Sequence, residues 1–294
     1  MFVEKRKQRK KDKYYLIYTY RIGNRVKRIS RYLGSDLTES SLEKLKKMAE
    51  KHILEHVKEK HPFDITNDEL RELKKCEKEI NVEHLHKILN WRQFTKEFTY
   101  NTNAIEGSTV TYKETEKIID KETRPENDDE RETLNVAEAV DFIRKTKLKL
   151  SLNLIKRIHL ICFKGTKYFA GKFRDVEVAV FDSFGNVVHR GAPSEKVEQL
   201  LKELIVWYEK YHKKISPLLL AALVHNQFEN IHPFQDGNGR VGRLLLNYVL
   251  LKHDYLPIDI KLKDRKDYYK VLQNYQKTGN IESTLKFLIL QYRN

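Results

Sequence analysis

Twelve residues, His232-Pro-Phe-Gln-Asp236-Gly-Asn-Gly-Arg240-Val-Gly-Arg243, constrain the backbone more tightly than any other stretch of this chain. Upstream, Ser216-Pro217 is a helix start, and the apolar run 218–224 with Phe228 and Ile231 keeps helical spacing as far as His232. Pro233 stops that helix, because the residue before a proline is pushed out of the helical region. Asp236-Gly-Asn-Gly239 reads as a turn, since glycine and asparagine accept positive φ. A second helix opens at about Gly239 and carries Val241, Leu244, Leu245, Tyr248 and Val249 at helical spacing. Two buried helices joined by a tight loop are therefore the expected frame, with an imidazole, a carboxylate and two arginines gathered at the joint.

That joint has a chemistry. The first N–H groups of the second helix lack intrahelical partners and, with the macrodipole, make a cradle for an anion. Arg240 and Arg243 stand one turn apart, which predicts that both reach the same anion. Asp236 would be repelled by phosphates unless a divalent cation, usually Mg²⁺, lay between them. His232 titrates near neutrality and can take a proton from an attacking hydroxyl. Taken singly, these are an ordinary helix cap, a turn and two solvent-facing arginines. Their order within twelve residues points to a site that handles part of a nucleotide.

The segment resembles the Fic family at every defined position of its His-x-Phe-x-(Asp/Glu)-Gly-Asn-Gly-Arg-x-x-Arg signature. Ala221-Ala-Leu-Val-His225-Asn-Gln-Phe228-Glu229-Asn-Ile231 is similar to the helix preceding that signature, and Tyr168-Phe-Ala-Gly171-Lys-Phe173-Arg174 to the segment leading into the family's β-hairpin flap. The resemblance covers roughly residues 66–290. It implies a mainly α, Fic-type helical bundle with a β-hairpin flap, and transfer of AMP from ATP to a Ser, Thr or Tyr hydroxyl of a protein, this chain included. By the same resemblance His232 is the general base, and Asp236 holds Mg²⁺ between the α- and β-phosphates. Gly237, Asn238, Gly239 and Arg240 line the anion hole, and Arg243 grips the γ-phosphate. Some relatives use another nucleotide donor or transfer a phosphate. The latter lack the glycine that stands here at 237, which favours AMP.

Thr102-Asn-Ala-Ile-Glu106-Gly107 resembles the family's inhibitory motif, (Ser/Thr)-x-x-x-Glu-(Gly/Asn), and ends a helical pattern running from about 85 to 107. The resemblance implies that Glu106 pairs with Arg243, occupies the γ-phosphate position and holds ATP in an unreactive pose. It also leaves open that Glu106 orients a water for removal of AMP. The hairpin 176–189 is implied to be the flap on which the protein substrate docks by strand addition.

The chain carries a formal charge of +15, and residues 1–60 hold 18 Lys and Arg against 8 Asp and Glu. The run from Lys5 to Lys13 reads as a frayed basic tail. Two tyrosine-rich strands flanking Gly23-Asn24 predict a hairpin, and Ser40-Ser-Leu-Glu43 predicts a capped helix. Together they predict a small ββα appendage over residues 1–61, with a catalytic domain over 62–294. Its basic and tyrosine residues fit either nucleic-acid binding, in a regulator whose larger domain senses nucleotide, or a simply solvated hairpin. No run approaches the roughly 18–20 apolar residues that span a bilayer. The charged amino end lacks an apolar leader, and Cys76 and Cys162 read as reduced core residues, so the expectation is a cytoplasmic protein without a membrane partner.

Overall fold

The computed structural model describes residues 1–8, 11–22, 25–59, 89–181 and 187–292. Gly23-Asn24 and Cys76 lie outside them. The chain divides into two compact units, Met1–Thr66 with Lys277–Gly279, and Asn67–Gln276 with Asn280–Asn294.

The first unit holds three antiparallel strands in the order β1 (Phe2–Gln8), β2 (Lys11–Ile22) and β3 (Arg25–Ser35), followed by helix α1 (Glu39–Glu59). Leu16 of β2 meets Ala49 and Ile53 of α1, and Val3, Tyr18, Ile29 and Leu33 pack against them. The expected frayed tail is thus corrected to a paired strand, and the expected ββα appendage to βββα. Three of its cations are answered across the sheet: Lys5 pairs with Asp12 at 2.8 Å, Arg28 pairs with Glu4, and the Arg6 guanidinium lies 4.6 Å from the Tyr15 ring. A lysine- and arginine-rich strand suits a sheet edge, where charge deters pairing with another chain. Helix α1 also begins earlier than its expected Ser40 cap, because the Thr38 hydroxyl accepts the Ser41 N–H at 3.4 Å.

The second unit is helical among its described residues, apart from one hairpin. In chain order it holds α2 (Trp91–Ile105), α3 (Tyr112–Ile119), α4 (Asp128–Lys145), α5 (Leu152–Phe163), β4 (Ala179–Phe181), β5 (Val187–Arg190), α6 (Val197–Tyr211), α7 (Pro217–Ile231), α8 (Asn238–Lys252), α9 (Arg265–Thr278) and α10 (Glu282–Gln291). No helix among the described residues is long and apolar enough to cross a membrane.

Helices α7 and α8 form the centre. Leu218 to Asn226 are all buried, as are Val241 to Leu250. A helix apolar on every side must be surrounded, and α8 is, by α2, α4, α5 and α7. Each buried leucine or valine there contributes about 1.5–3 kcal/mol. The polar Asn247 is accommodated because its amide exchanges two hydrogen bonds with the backbone of Ile258, at 2.9 and 2.7 Å.

Helix α2 starts at Trp91, later than the expected 85, because the Asn90 side chain accepts the N–H groups of Arg92 and Gln93 and fixes a cap there. Its far end is as expected: Glu106 is the C-cap, and Gly107 turns the chain with φ 94°. Thr111 and Glu114 make both bonds of a capping box at α3. The hairpin pairs Ala179 with Arg190 and Val180 with His189, so its first strand begins later than the expected 176.

Candidate active site

The loop between α7 and α8 is fixed from several directions. His232 caps α7 in the left-handed region, φ 53° and ψ 63°, which a non-glycine residue adopts at a cost. Phe234 is fully buried and stacks on His159 at 3.8 Å. The Gly171 N–H donates to His159 Nδ1 at 2.8 Å, so the ring proton is on Nε2, which donates to the Asp236 carbonyl at 3.1 Å. Burial depresses that imidazole to about 4 and keeps it neutral. Asn238 accepts the Phe234 N–H at 2.9 Å and donates to the Phe234 carbonyl at 2.8 Å. Its side chain therefore holds the loop, and its backbone N–H remains for a ligand. Gly237 has φ 80°, and a Cβ there would lie 2.2 Å from the Phe163 ring. Only glycine fits.

These constraints place the N-terminus of α8 against a cavity of about 310 Å³. Residues 238–240 start the helix, so their N–H groups have no intrahelical partner. Over them lies Glu106: a Cβ on Gly239 would meet its Oε1 at 2.3 Å. The carboxylate also accepts from Arg243 Nη2 at 2.7 Å, with the arginine side chain 2% exposed. Arg243 donates further to the Thr102 hydroxyl at 2.7 Å and the Thr102 carbonyl at 3.0 Å. Burial alone would weaken its charge, but Glu106 and Tyr268 beside it more than offset that and hold it protonated. An anion of the protein's own thus occupies the anion cradle.

The sequence expectation is corrected at Arg240. Its guanidinium does not line the cavity; it pairs with the buried Glu132 and lies 4.4 Å from the Phe163 ring. Positions three apart on a helix point about 60° from each other, and here Glu132 lies on one side and Glu106 on the other. Asp236 stands at the mouth, its side chain half exposed. Oδ1 accepts the Gly237 N–H at 2.6 Å, while Lys167 lies 3.7 Å and Arg240 3.8 Å from Oδ2. A hard carboxylate oxygen facing a phosphate-sized cradle suits Mg²⁺, which binds through one or two carboxylates plus phosphate oxygens and water.

His232 also lines the cavity. Its Nδ1 donates to the Glu229 carbonyl at 3.3 Å, which leaves Nε2 as the proton acceptor. Burial, and then the neighbouring His189, lower its pKa to about 4. The His189 ring is 5.4 Å from that of His232, and its Nδ1 accepts from Gln276 at 2.5 Å, which ties the hairpin to α9.

Glu229 is held protonated, its pKa pushed up to about 8 by burial although Arg243 pulls the other way. From about pH 4.5 to 8 the unfolded chain has released this proton and the folded chain keeps it. Its contribution to stability is therefore present in acid and is lost as pH rises to about 8. Glu229→Gln is expected to leave the melting temperature near wild type at pH 4.5 and to raise it at pH 8.5, by about 2–4 °C per kcal/mol relieved. Parallel melting curves at both pH values would refute the assignment.

Sequence reading brought Glu106, Thr102, Arg243, Asp236, Gly237, Gly239 and His232 to one place, and they meet there. It did not assign roles to His159, Glu132, His189 or Arg174. The first sits in an apolar helix and the second in a run of surface-type charge, neither of which gives a sequence signal.

Residues 149–250 match the model of the Fic/DOC family. The chain is 32% identical over 198 residues to a protein of Nematostella vectensis named Protein adenylyltransferase Fic, covering 64% of this chain and 45% of that one. It is 28% identical over 230 residues to the Aedes aegypti protein of the same name, covering 74% of this chain and 41% of its relative. The chain thus spans less than half the length of these curated relatives. Among solved structures, a Fic domain containing signaling protein from Bacteroides thetaiotaomicron shares the fold with a TM-score of 0.64 at 25% identity, over 76% of this chain and 92% of that one.

Proposed function

We propose that this chain, which carries a Fic-family domain over residues 149–250 in a Fic-type helical fold, is an autoinhibited protein adenylyltransferase. The names of its relatives support AMP transfer. The observation that carries the autoinhibition is the Glu106–Arg243 pair, 2.7 Å long and seated on the N-terminus of α8. The catalytic unit comprises residues 62–294, with residues 1–61 as an appendage.

In this reading the triphosphate of ATP lies along the N–H groups of residues 238–240, with Arg243 on the γ-phosphate. Asp236 holds Mg²⁺, which offsets charge on the phosphates. The flap strands pair with the target's backbone and bring a Ser, Thr or Tyr hydroxyl to His232. Its oxygen bonds to the α-phosphorus, the bond from that phosphorus to the bridging oxygen breaks, and diphosphate leaves with the electron pair. His232 Nε2 takes the hydroxyl proton. The work is positioning and charge stabilisation, as in other phosphoryl-type transfers.

ATP labelled at the α or at the γ position separates the possible products. AMP transfer puts only the α label on protein and releases labelled diphosphate from the γ-labelled donor. Transfer of the γ label to protein would sink the reading.

A further inference from the structure

Arg174 is 4% exposed, yet among the described residues none of its hydrogen bonds goes to a carboxylate. Its guanidinium donates to four backbone carbonyls instead. Nε reaches His232 at 2.7 Å, Nη1 reaches Val176 at 2.7 Å, and Nη2 reaches Ile231 at 3.3 Å and also Ala192. The Arg174 N–H donates to the Pro233 carbonyl at 3.0 Å.

These carbonyls belong to three separate pieces of backbone. Ile231 and His232 end α7, where the carbonyls lack intrahelical partners and the macrodipole is negative, so a cation there is favourable. Val176 precedes the flap hairpin and Ala192 follows it. The rigid fork of a guanidinium can serve all three at once, which a flexible ammonium cannot.

A second observation marks the same junction. A Cβ on Gly191 would come within 2.6 Å of Arg174 Nη2 and 3.2 Å of His232 Cβ. The hairpin's exit therefore passes between the guanidinium and the Cβ of His232 with no room for a side chain. The adjacent Ala192 N–H donates to the Ile231 carbonyl at 3.1 Å.

We propose that Arg174 is a positioning residue that locks the left-handed His232 cap to both ends of the flap, so that imidazole and flap-bound hydroxyl meet at a fixed distance. This rests on the adenylyl-transfer reading. It adds a residue that touches neither nucleotide nor target and sets the rate through His232.

The test uses full-length chains carrying Glu106→Gly, alone and with Arg174→Lys or Arg174→Ala, and follows α-label incorporation from ATP into the chain itself. Nucleotide affinity and melting are measured in parallel, with free guanidinium added to the alanine variant. The expected result is a rate loss of about 10- to 100-fold in both variants, the cost of roughly 1 Å of misplacement. ATP affinity should stay within about threefold, because Arg243, Thr102 and the α8 N-terminus that form the cradle lie on other segments. Guanidinium should restore part of the alanine variant's rate without changing its ATP affinity.

An unchanged rate in folded Arg174→Lys overturns the proposal alone. So does loss of rate, ATP affinity and cooperative melting together, which would give the residue a folding role. No incorporation by the Glu106→Gly parent sinks the adenylyl-transfer reading and this inference with it.

Discussion

Glu106→Gly is expected to raise AMP incorporation by about 10- to 100-fold. The substitution removes the protein's own anion from the N-terminus of α8, the proposed seat of the γ-phosphate, and frees Arg243 Nη2, now bonded to Glu106 at 2.7 Å. A hydrogen bond between charged groups contributes about 1.5–3 kcal/mol, which sets the size of the effect. The same change leaves a fully buried guanidinium without its carboxylate, held by Thr102 at 2.7 and 3.0 Å. A buried charge that loses its partner is costly. The ligand-free variant should therefore melt lower than wild type, and ATP with Mg²⁺ should stabilise it by more than it stabilises wild type. Rate and melting test different halves of the argument. Equal α-label incorporation by wild type and Glu106→Gly would end the inhibitory role, whatever the melting curves show.

What could be read from the sequence was what is local in it. Pro233 stops a helix, Gly237 accepts φ 80°, and Gly107 turns the chain after α2, because backbone sterics act within a few residues. The Glu106–Arg243 pair spans 137 positions and was legible only through the resemblance carried by both motifs. Arg174, His159 and Glu132 act across 58, 77 and 108 positions. Their residue types carry no pattern that distinguishes a carbonyl-binding arginine from a solvated one. The same limit explains the two misreadings. A basic run at the amino end looks solvated until Lys5 meets Asp12 and Arg6 meets the Tyr15 ring across the sheet. Two arginines one turn apart look equivalent until Glu132 claims one and Glu106 the other.

His232→Ala in the Glu106→Gly chain should lower AMP transfer by about 10²- to 10⁴-fold, the usual worth of a positioned general base. Nucleotide affinity should hardly change, since the cradle is built by α8, Arg243 and Thr102. The pH profile tests the same imidazole without removing it. Burial lowers its pKa to about 4, with His189 contributing in the same direction. Lowering extends the range of the neutral, proton-accepting form downward, so kcat/KM should stay level from pH 8 to about pH 5. It should fall only as pH drops through about 4, not at the 6.5 of an ordinary histidine. A conjugate acid of pKa about 4 is a comparatively strong acid, so the neutral imidazole is a weak base. In the proposed reaction, proton transfer from the hydroxyl is then expected to run with the bonding of oxygen to phosphorus, not ahead of it. That makes orientation, not basicity, the quantity the loop has to supply, and it is why the left-handed cap at His232 is held by so many contacts. An acid limb near 6.5 would mean that the ring is solvated when it works and would remove this account of the loop. A His232→Ala chain as fast as its parent would place the base elsewhere.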